Sequence, residues 1–155
     1  MTGREPQKEN DLFFTCSFVE YIARKTKNIT RYIVHELGKE NIAKIYDLAD
    51  VYHCENIEKI SDEFIDSCNI EKGSFDNVSI CEYDVPTYWD IGKVFKRLIL
   101  MIAKSQNISI VDALFMAYDS IVCDKIEDYN SSFFYDSPQN IFNAFENPEY
   151  FNGLY

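Results

Sequence analysis

The side chains that most often carry chemistry are few in this sequence. It has two histidines, His35 and His53, and neither lies beside a serine or cysteine in a recognisable nucleophile motif. His53 and Cys54 are adjacent, but neighbours on a helix point in different directions, whereas a structural zinc site needs four converging ligands. We therefore predict no metal site and no local nucleophilic centre. A catalytic site assembled from distant residues stays open.

Carboxylates are the most abundant reactive groups. They cluster at Asp47, Asp50, Glu55 and Glu58, and again at Asp124, Glu127 and Asp128. Spacings of three place some of them on one helix face, where paired carboxylates could act as general acid and base. In a chain with 26 acidic and 15 basic residues a solvated helix face is the commoner outcome. The five glycines form neither GxGxxG nor a P-loop, so we predict no cofactor, and we expect a non-catalytic protein.

One basic cluster stands out in this acidic chain, and it consists of Arg24, Lys25, Lys27 and Arg31. Together with a helix pair around Thr30 it could contact phosphate in a DNA-binding regulator. The alternative is a structural role, because cations are favoured at a helix carboxyl terminus. The net charge of −11 disfavours nucleic acid as a partner. The same charge would suit a DNA-mimic inhibitor, which is a further alternative.

Aromatic residues near the carboxyl terminus are candidates for a protein interface. Exposed aromatic side chains bordered by acidic residues are typical of interface cores. The competing interpretation is that these side chains close the protein's own core. The candidate residues are Phe133, Phe134, Tyr135, Tyr150, Phe151 and Tyr155.

Helical periodicity dominates the first half of the chain. Apolar residues from Leu12 to Ala23 recur every three or four positions, which predicts an amphipathic helix. Thr30 as N-cap and Gly38 as stop signal delimit a second helix. Similar patterns predict helices over 41–51 and 57–68. Residues 1–11 are predicted to be a flexible leader, and residues 12–68 a first helical unit.

The second half repeats this organisation after a linker at residues 69–87, which contains at most one short hairpin. Residues 88–147 are predicted to form a second helical unit, and 148–155 an aromatic tail. The helices of the second unit are expected over Trp89–Ala103, from Ser109 to about Cys123, and over Gln139–Phe145 after a Ser137-Pro138 start.

The two units also match in sequence, which indicates an internal duplication. Ile22-Ala23-Arg24 with Asn28-Ile29-Thr30 matches Ile102-Ala103-Lys104 with Asn107-Ile108-Ser109, which are one residue closer together. Chance similarity between amphipathic helices is the alternative. The predicted fold is therefore a mainly α, compact helical bundle, built either from two tandem related units on a shared core or from separate halves.

Composition also bears on location. Five cysteines at irregular spacings contain no CxxC pair, so they are predicted to be free thiols in a reducing compartment. The amino terminus lacks the apolar stretch of a signal peptide, and the longest apolar-rich run, Val94 to Ala103, is far shorter than a membrane span. We expect a cytoplasmic protein.

Ile22-Ala23-Arg24-Lys25 with Asn28-Ile29-Thr30, followed by Tyr46-Asp47 and Tyr52-His53, resembles small bacterial helical proteins of unknown function. Some of those proteins are encoded beside ADP-ribosyltransferase-like toxins. The resemblance implies an antitoxin-like or accessory role, in which an acidic protein binds and restrains a more basic partner, such as a co-encoded toxin. A homo-oligomer stays open.

Overall fold

The computed structural model describes the backbone of residues 4–153 and the side chains of residues 7–151. Over this range the chain is all-α, as predicted, with eight α-helices and three short 3-10 segments, and it forms no β-strand. The α-helices are α1 Arg4–Thr26, α2 Thr30–Asp47, α3 Ala49–His53, α4 Ile57–Ser67, α5 Tyr88–Gln106, α6 Ile110–Tyr118, α7 Ile121–Glu127 and α8 Pro138–Glu146. The 3-10 segments are Tyr129–Ser131, Phe133–Tyr135 and Pro148–Gly153.

Helix α1 lies at the centre of the fold. Its residues 14–20 are all buried, so the helix is enclosed on every side along this stretch. A helix with this property belongs to a core rather than to a surface. Helix α1 packs most extensively on α5, and it also contacts α2, α3 and α4. The other helices are therefore organised around α1.

The closest approach of α1 and α5 lies at Gly92. A β-carbon at this position would lie 2.0 Å from the Ser17 hydroxyl oxygen and 2.8 Å from the Ser17 backbone nitrogen and α-carbon. Because backbone atoms of α1 occupy this space, rotation of a side chain cannot relieve the overlap. Glycine at position 92 is thus required by the spacing of the two central helices.

Replacing Gly92 by alanine is expected to destabilise the fold by about 1–3 kcal/mol, because overpacking forces the two helices apart. Urea unfolding followed by circular dichroism measures this change. Ser105→Ala, at an exposed position of the same helix, is the matched control and should change stability by less than about 0.5 kcal/mol. Equal stability of the two variants would contradict this packing argument.

Helix α1 begins earlier than its apolar pattern predicts. Residues 4–11 are helical where the sequence predicted a flexible leader. The reason is that Asp11 is already buried, with Gln7 Nε2 donating a 2.9 Å hydrogen bond to its carboxylate one turn away. Contacts made by polar residues thus lengthen α1 beyond the part that its apolar pattern predicts.

The sequence predicted two local signals for α2, a stop at Gly38 and an N-cap at Thr30. Gly38 interrupts the helix, with φ +80° and ψ 164°, but helical structure resumes and continues to Asp47. The prediction that Thr30 is the N-cap is wrong. Ile29 occupies that position without a side-chain cap, and the Thr30 backbone N–H donates to the Glu127 carboxylate at 3.1 Å. The helix is therefore capped from α7.

The linker at residues 69–87 contains no hairpin. Its backbone instead bonds to the carboxyl end of α1, where Gly73 N–H donates to Thr26 C=O at 2.8 Å and Phe75 N–H donates to Lys27 C=O at 2.9 Å. Farther along the linker, Ser79 N–H donates to the Asp76 carboxylate and Glu82 N–H donates to the Asn130 side-chain oxygen, so these amides do not pair with a neighbouring strand. The linker ends in a capping box between Thr87 and Asp90, which starts α5.

The three helix starts predicted in the second half agree with the structure to within one residue, whereas α5 ends at Gln106, three residues beyond the predicted Ala103. Ser137 caps α8 by accepting a 3.1 Å hydrogen bond from Asn140 N–H, and Pro138 is the first helical residue, as predicted. Ser109 likewise caps α6 through Asp112 N–H. The single helix predicted from Ser109 to about Cys123 is instead two helices, α6 and α7, separated at residues 119–120.

The turns between α1 and α2 and between α5 and α6 have the same backbone pattern. Lys27 and Asn107 both have positive φ, 57° and 54°. The next amide in each turn, of Asn28 or Ile108, donates to the carbonyl of Ala23 or Ala103. The geometry therefore pairs Asn28 with Ile108, whereas the sequence match paired it with Asn107. The duplication itself stays a prediction.

None of the helices between residues 4 and 153 alone has both the length and the apolar composition needed to cross a bilayer. The pair α5 and α6 meets both criteria together, but the two helices are bent by 118° relative to each other.

Candidate functional site

All four residues of the basic cluster form ion pairs within the protein. Their carboxylate partners come from four different parts of the chain, so the cluster fastens α1 and α2 to their surroundings. The pairs are Arg24 with Glu20 at 3.0 Å, Lys25 with Asp62 at 2.6 Å, Lys27 with Asp76 at 3.3 Å, and Arg31 with Asp124 at 3.2 Å. The structural interpretation of the cluster is thus the one that agrees with its contacts.

Arg31 also forms hydrogen bonds at the junction of α6 and α7. Its guanidinium donates to the carbonyls of Tyr118 and Ser120, at 3.1 and 3.0 Å, where α6 ends and α7 begins. Carbonyls at a helix end lack partners within the helix and carry partial negative charge. Arg31 therefore stabilises the break between α6 and α7.

A buried polar cluster lies between α1, the linker and the Tyr129–Ser131 segment. The Glu20 carboxylate accepts hydrogen bonds from Arg24 Nε at 3.0 Å and from the Tyr129 hydroxyl at 2.7 Å. Arg24 also donates to the Pro86 carbonyl at 2.6 Å and to the Tyr129 hydroxyl at 2.9 Å. Burial and the adjacent Glu20 charge raise the pKa of Tyr129, so this phenol stays neutral.

Glu127 is the second buried carboxylate, although the sequence placed it on a solvated face. It accepts hydrogen bonds from the backbone and hydroxyl of Thr30 and from the Cys123 thiol. Its backbone carbonyl accepts a 2.9 Å hydrogen bond from Asn77 of the linker. Burial, reinforced by the charge of Glu20, raises the pKa of Glu127 to about 7.

These buried groups are arranged for structure rather than for nucleophilic chemistry. Burial raises the pKa of the Cys16 thiol to about 12, and burial with the nearby Glu127 also raises the pKa of Cys123. Because the thiolate is the reactive form, both cysteines are poor nucleophiles near neutral pH. Glu127 directs its hydrogen bonds to the start of α2, so its role is that of a capping group.

The aromatic interface candidates divide into two sets. Phe133, Phe134 and Phe151 are buried and pack into the core, as the core-closure interpretation predicts. Tyr135 is 79% exposed and Tyr150 is 43% exposed. Tyr155 lies outside the residues whose structure is described. The candidate surface therefore reduces to two tyrosines, of which Tyr135 is the more prominent.

Tyr135 stands at the edge of a groove between the start of α5 and α8. The groove has a volume of about 250 Å³, and its apolar lining includes Val94, Leu98, Phe134 and Ile141. The ring of Tyr135 lies 4.7 Å from that of the buried Phe134, measured between centroids. An exposed aromatic side chain thus packs on a buried ring beside a groove that has both apolar and charged lining residues. Polar side chains border it, namely Asp90, Lys93, Arg97 and Asp136.

A second cavity, of about 470 Å³, opens between α1, α3 and the start of α5. Aromatic rings line it: Trp89 lies 5.3 Å from Phe13 and 6.1 Å from the His53 imidazole, and His53 lies 5.7 Å from Phe14. The carboxylates of Asp11 and Asp50 also line the cavity. Sequence reasoning missed this site because its residues come from three separated helices.

No group of three or more His, Cys, Asp or Glu side chains among the described residues is placed to hold a metal ion. Comparison of the chain with protein-family models, with curated proteins and with solved structures gives no match. The interpretation of both surface sites therefore depends on their geometry and charge.

Proposed function

We propose that this chain is a non-catalytic, acidic protein-binding module that restrains a more basic protein partner in the cytoplasm. The observation that carries the proposal is Tyr135, an aromatic side chain 79% exposed at the edge of a groove lined by apolar and charged side chains. Tyrosine is enriched among the few residues that dominate protein–protein affinity, and such residues fit into pockets of the partner.

The charge distribution supports a basic partner. The chain carries a net charge of −11, and the basic cluster of Arg24, Lys25, Lys27 and Arg31 is neutralised by internal ion pairs. A cationic protein would approach this surface faster than a neutral one, and like-charged competitors would be repelled. The resemblance to proteins encoded beside toxins makes a co-encoded toxin the partner that we would test first.

The alternatives receive less support from the contacts. A DNA-binding regulator needs cations free to reach phosphate, yet Arg24, Lys25, Lys27 and Arg31 are all engaged by carboxylates. A DNA mimic needs free carboxylates on one continuous face. The acidic face of α4 contains one lysine, Lys59, and its Asp62 is paired with Lys25 of α1. A protein partner is thus the preferred interpretation.

Coexpression with the products of the flanking genes tests the proposal. We expect affinity-tagged protein to retain one neighbour with positive net charge in roughly stoichiometric amount. Tyr135→Ala should weaken this complex by about 2 kcal/mol, or roughly thirtyfold in Kd, as interface hot spots do. Isothermal titration calorimetry of the purified pair measures the change.

Tyr83→Ala is the matched control, because Tyr83 is 65% exposed but does not line the Tyr135 groove. This variant should bind like the unmodified protein. If no neighbour were retained, the proposed module would lose its support. Equal effects of the two tyrosine substitutions would show that the groove is not the binding surface.

A further inference from the structure

The cavity between α1, α3 and α5 combines aromatic rings with carboxylates. Asp11 is buried to more than nine-tenths and is held by the amide of Gln7, and Asp50 is exposed at the rim. Neither carboxylate forms an ion pair with a cation among the described residues. Burial of a carboxylate away from any cation is costly.

The rings supply the second part of the argument. Trp89 is half-buried, and its indole lies at centroid distances of 5.3 Å from Phe13 and 6.1 Å from His53. A cation within about 6 Å of an aromatic centroid is attracted by the ring quadrupole, and tryptophan is the best such ring. Aromatic rings and carboxylates that line the same cavity thus favour a positively charged occupant.

We propose that this cavity is a binding site for a cationic side chain of a protein partner, and that arginine is the residue it accepts. A guanidinium is planar, stacks on aromatic faces, bonds to a carboxylate through two donors, and is more weakly hydrated than an ammonium group. The cavity volume of about 470 Å³ accommodates such a side chain together with its aliphatic stem. This inference rests on the proposed function, since it specifies how a basic partner is recognised.

The cavity is also distinct from the Tyr135 groove, with which it shares no lining residue. A partner would therefore be recognised at two places, by an apolar contact at Tyr135 and by a charged contact at Trp89. The two contacts can be removed separately.

The single tryptophan of the chain provides the readout, because Trp89 lies in the cavity. We would titrate ¹⁵N-labelled protein with N-acetyl-arginine amide at constant ionic strength and follow the indole N–H resonance. We expect a saturable shift with a Kd on the order of 10 mM, as suits one cationic side chain without its protein. N-acetyl-citrulline amide has nearly the same shape without the charge, and it should bind with at most a tenth of the affinity of the arginine compound.

Two carboxylate variants and one control complete the test. Asp50→Asn should weaken binding severalfold, and it cannot disturb the core because Asp50 is exposed. Asp11→Asn should also weaken it, with thermal unfolding as the check on folding. Glu9→Gln removes the same charge from an exposed residue outside the cavity lining, so it should bind like the unmodified protein.

The inference is overturned if citrulline amide shifts the indole resonance as strongly as arginine amide, or if Glu9→Gln weakens binding as much as Asp50→Asn. N-acetyl-lysine amide binding more tightly than the arginine compound would overturn the choice of arginine. Failure of the small cations while a neighbour still copurifies would reject this cavity and leave the binding module intact. Arginine binding without any retained neighbour would reject the module instead.

Discussion

Replacing Arg24 by methionine is expected to lower the free energy of unfolding by about 3–5 kcal/mol, the usual loss when one partner of a buried ion pair is removed. The Glu20 side chain is only 3% exposed, so its carboxylate would remain buried with no cation beside it. The Pro86 carbonyl would lose a hydrogen bond from the guanidinium at the same time. Urea unfolding at pH 7, followed by circular dichroism, measures the loss.

Lys25→Met is the matched control for this experiment. Lys25 pairs with Asp62, whose side chain is 56% exposed, and a solvent-exposed pair contributes at most about 1 kcal/mol. Adding Glu20→Gln to Arg24→Met should recover much of the loss, because an amide is far less costly to bury than an unpaired carboxylate. Equal losses for Arg24→Met and Lys25→Met would refute the importance of the buried pair.

Glu127→Gln is expected to make the protein more stable above pH 7 by about 3 kcal/mol, because each unit of pKa shift corresponds to about 1.4 kcal/mol. The glutamine oxygen can still accept hydrogen bonds from Thr30, and no charge has to be buried. The pKa of Glu127 is raised from 4.5 to about 7 in the folded protein. The folded state therefore binds a proton more tightly than the unfolded state.

The sign of the pH dependence follows from this difference. The contribution of protonated Glu127 to stability is fully present below pH 4.5 and is lost as the pH rises through about 7. The unmodified protein should thus lose stability between pH 5 and pH 8 relative to Glu127→Gln, with the curves converging at low pH. Asp128→Asn, at the exposed neighbouring position, should not remove this dependence. Parallel curves for Glu127→Gln and the unmodified protein would refute it.

Sequence periodicity predicted the all-α fold because several helices present one apolar face and have a local start signal. Ser137 caps α8 through its own hydroxyl oxygen, and Gly38 interrupts α2 through its own positive φ, so both effects were visible in the sequence. The cap of α2 was not, because Glu127 lies 97 residues away from Thr30. From the sequence alone, a solvent-exposed carboxylate cannot be distinguished from one that caps a helix so far away along the chain.

The candidate sites show the same contrast between local and distant information. The run Phe133-Phe134-Tyr135 was correctly singled out as aromatic, but only the 3-10 geometry separates two inward rings from one outward ring. The cavity around Trp89 gave no sequence signal, because Phe13, His53 and Trp89 become neighbours only when three helices pack. The capping box at Thr87 and Asp90 was readable in the sequence, and it was missed because the linker was extended to Thr87.

The enclosed position of α1 has a consequence for the protein while it is being synthesised. Helix α1 emerges from the ribosome before its main packing partner, α5, which begins more than 60 residues later. At translation rates of about 5–20 residues per second, the apolar surface of α1 waits roughly 3–12 seconds for that partner. During this interval Leu12, Phe18 and Ile22, which are buried in the finished fold, lack the packing surface of α5. The helix around which the finished fold is built is therefore open to aggregation until α5 has been made.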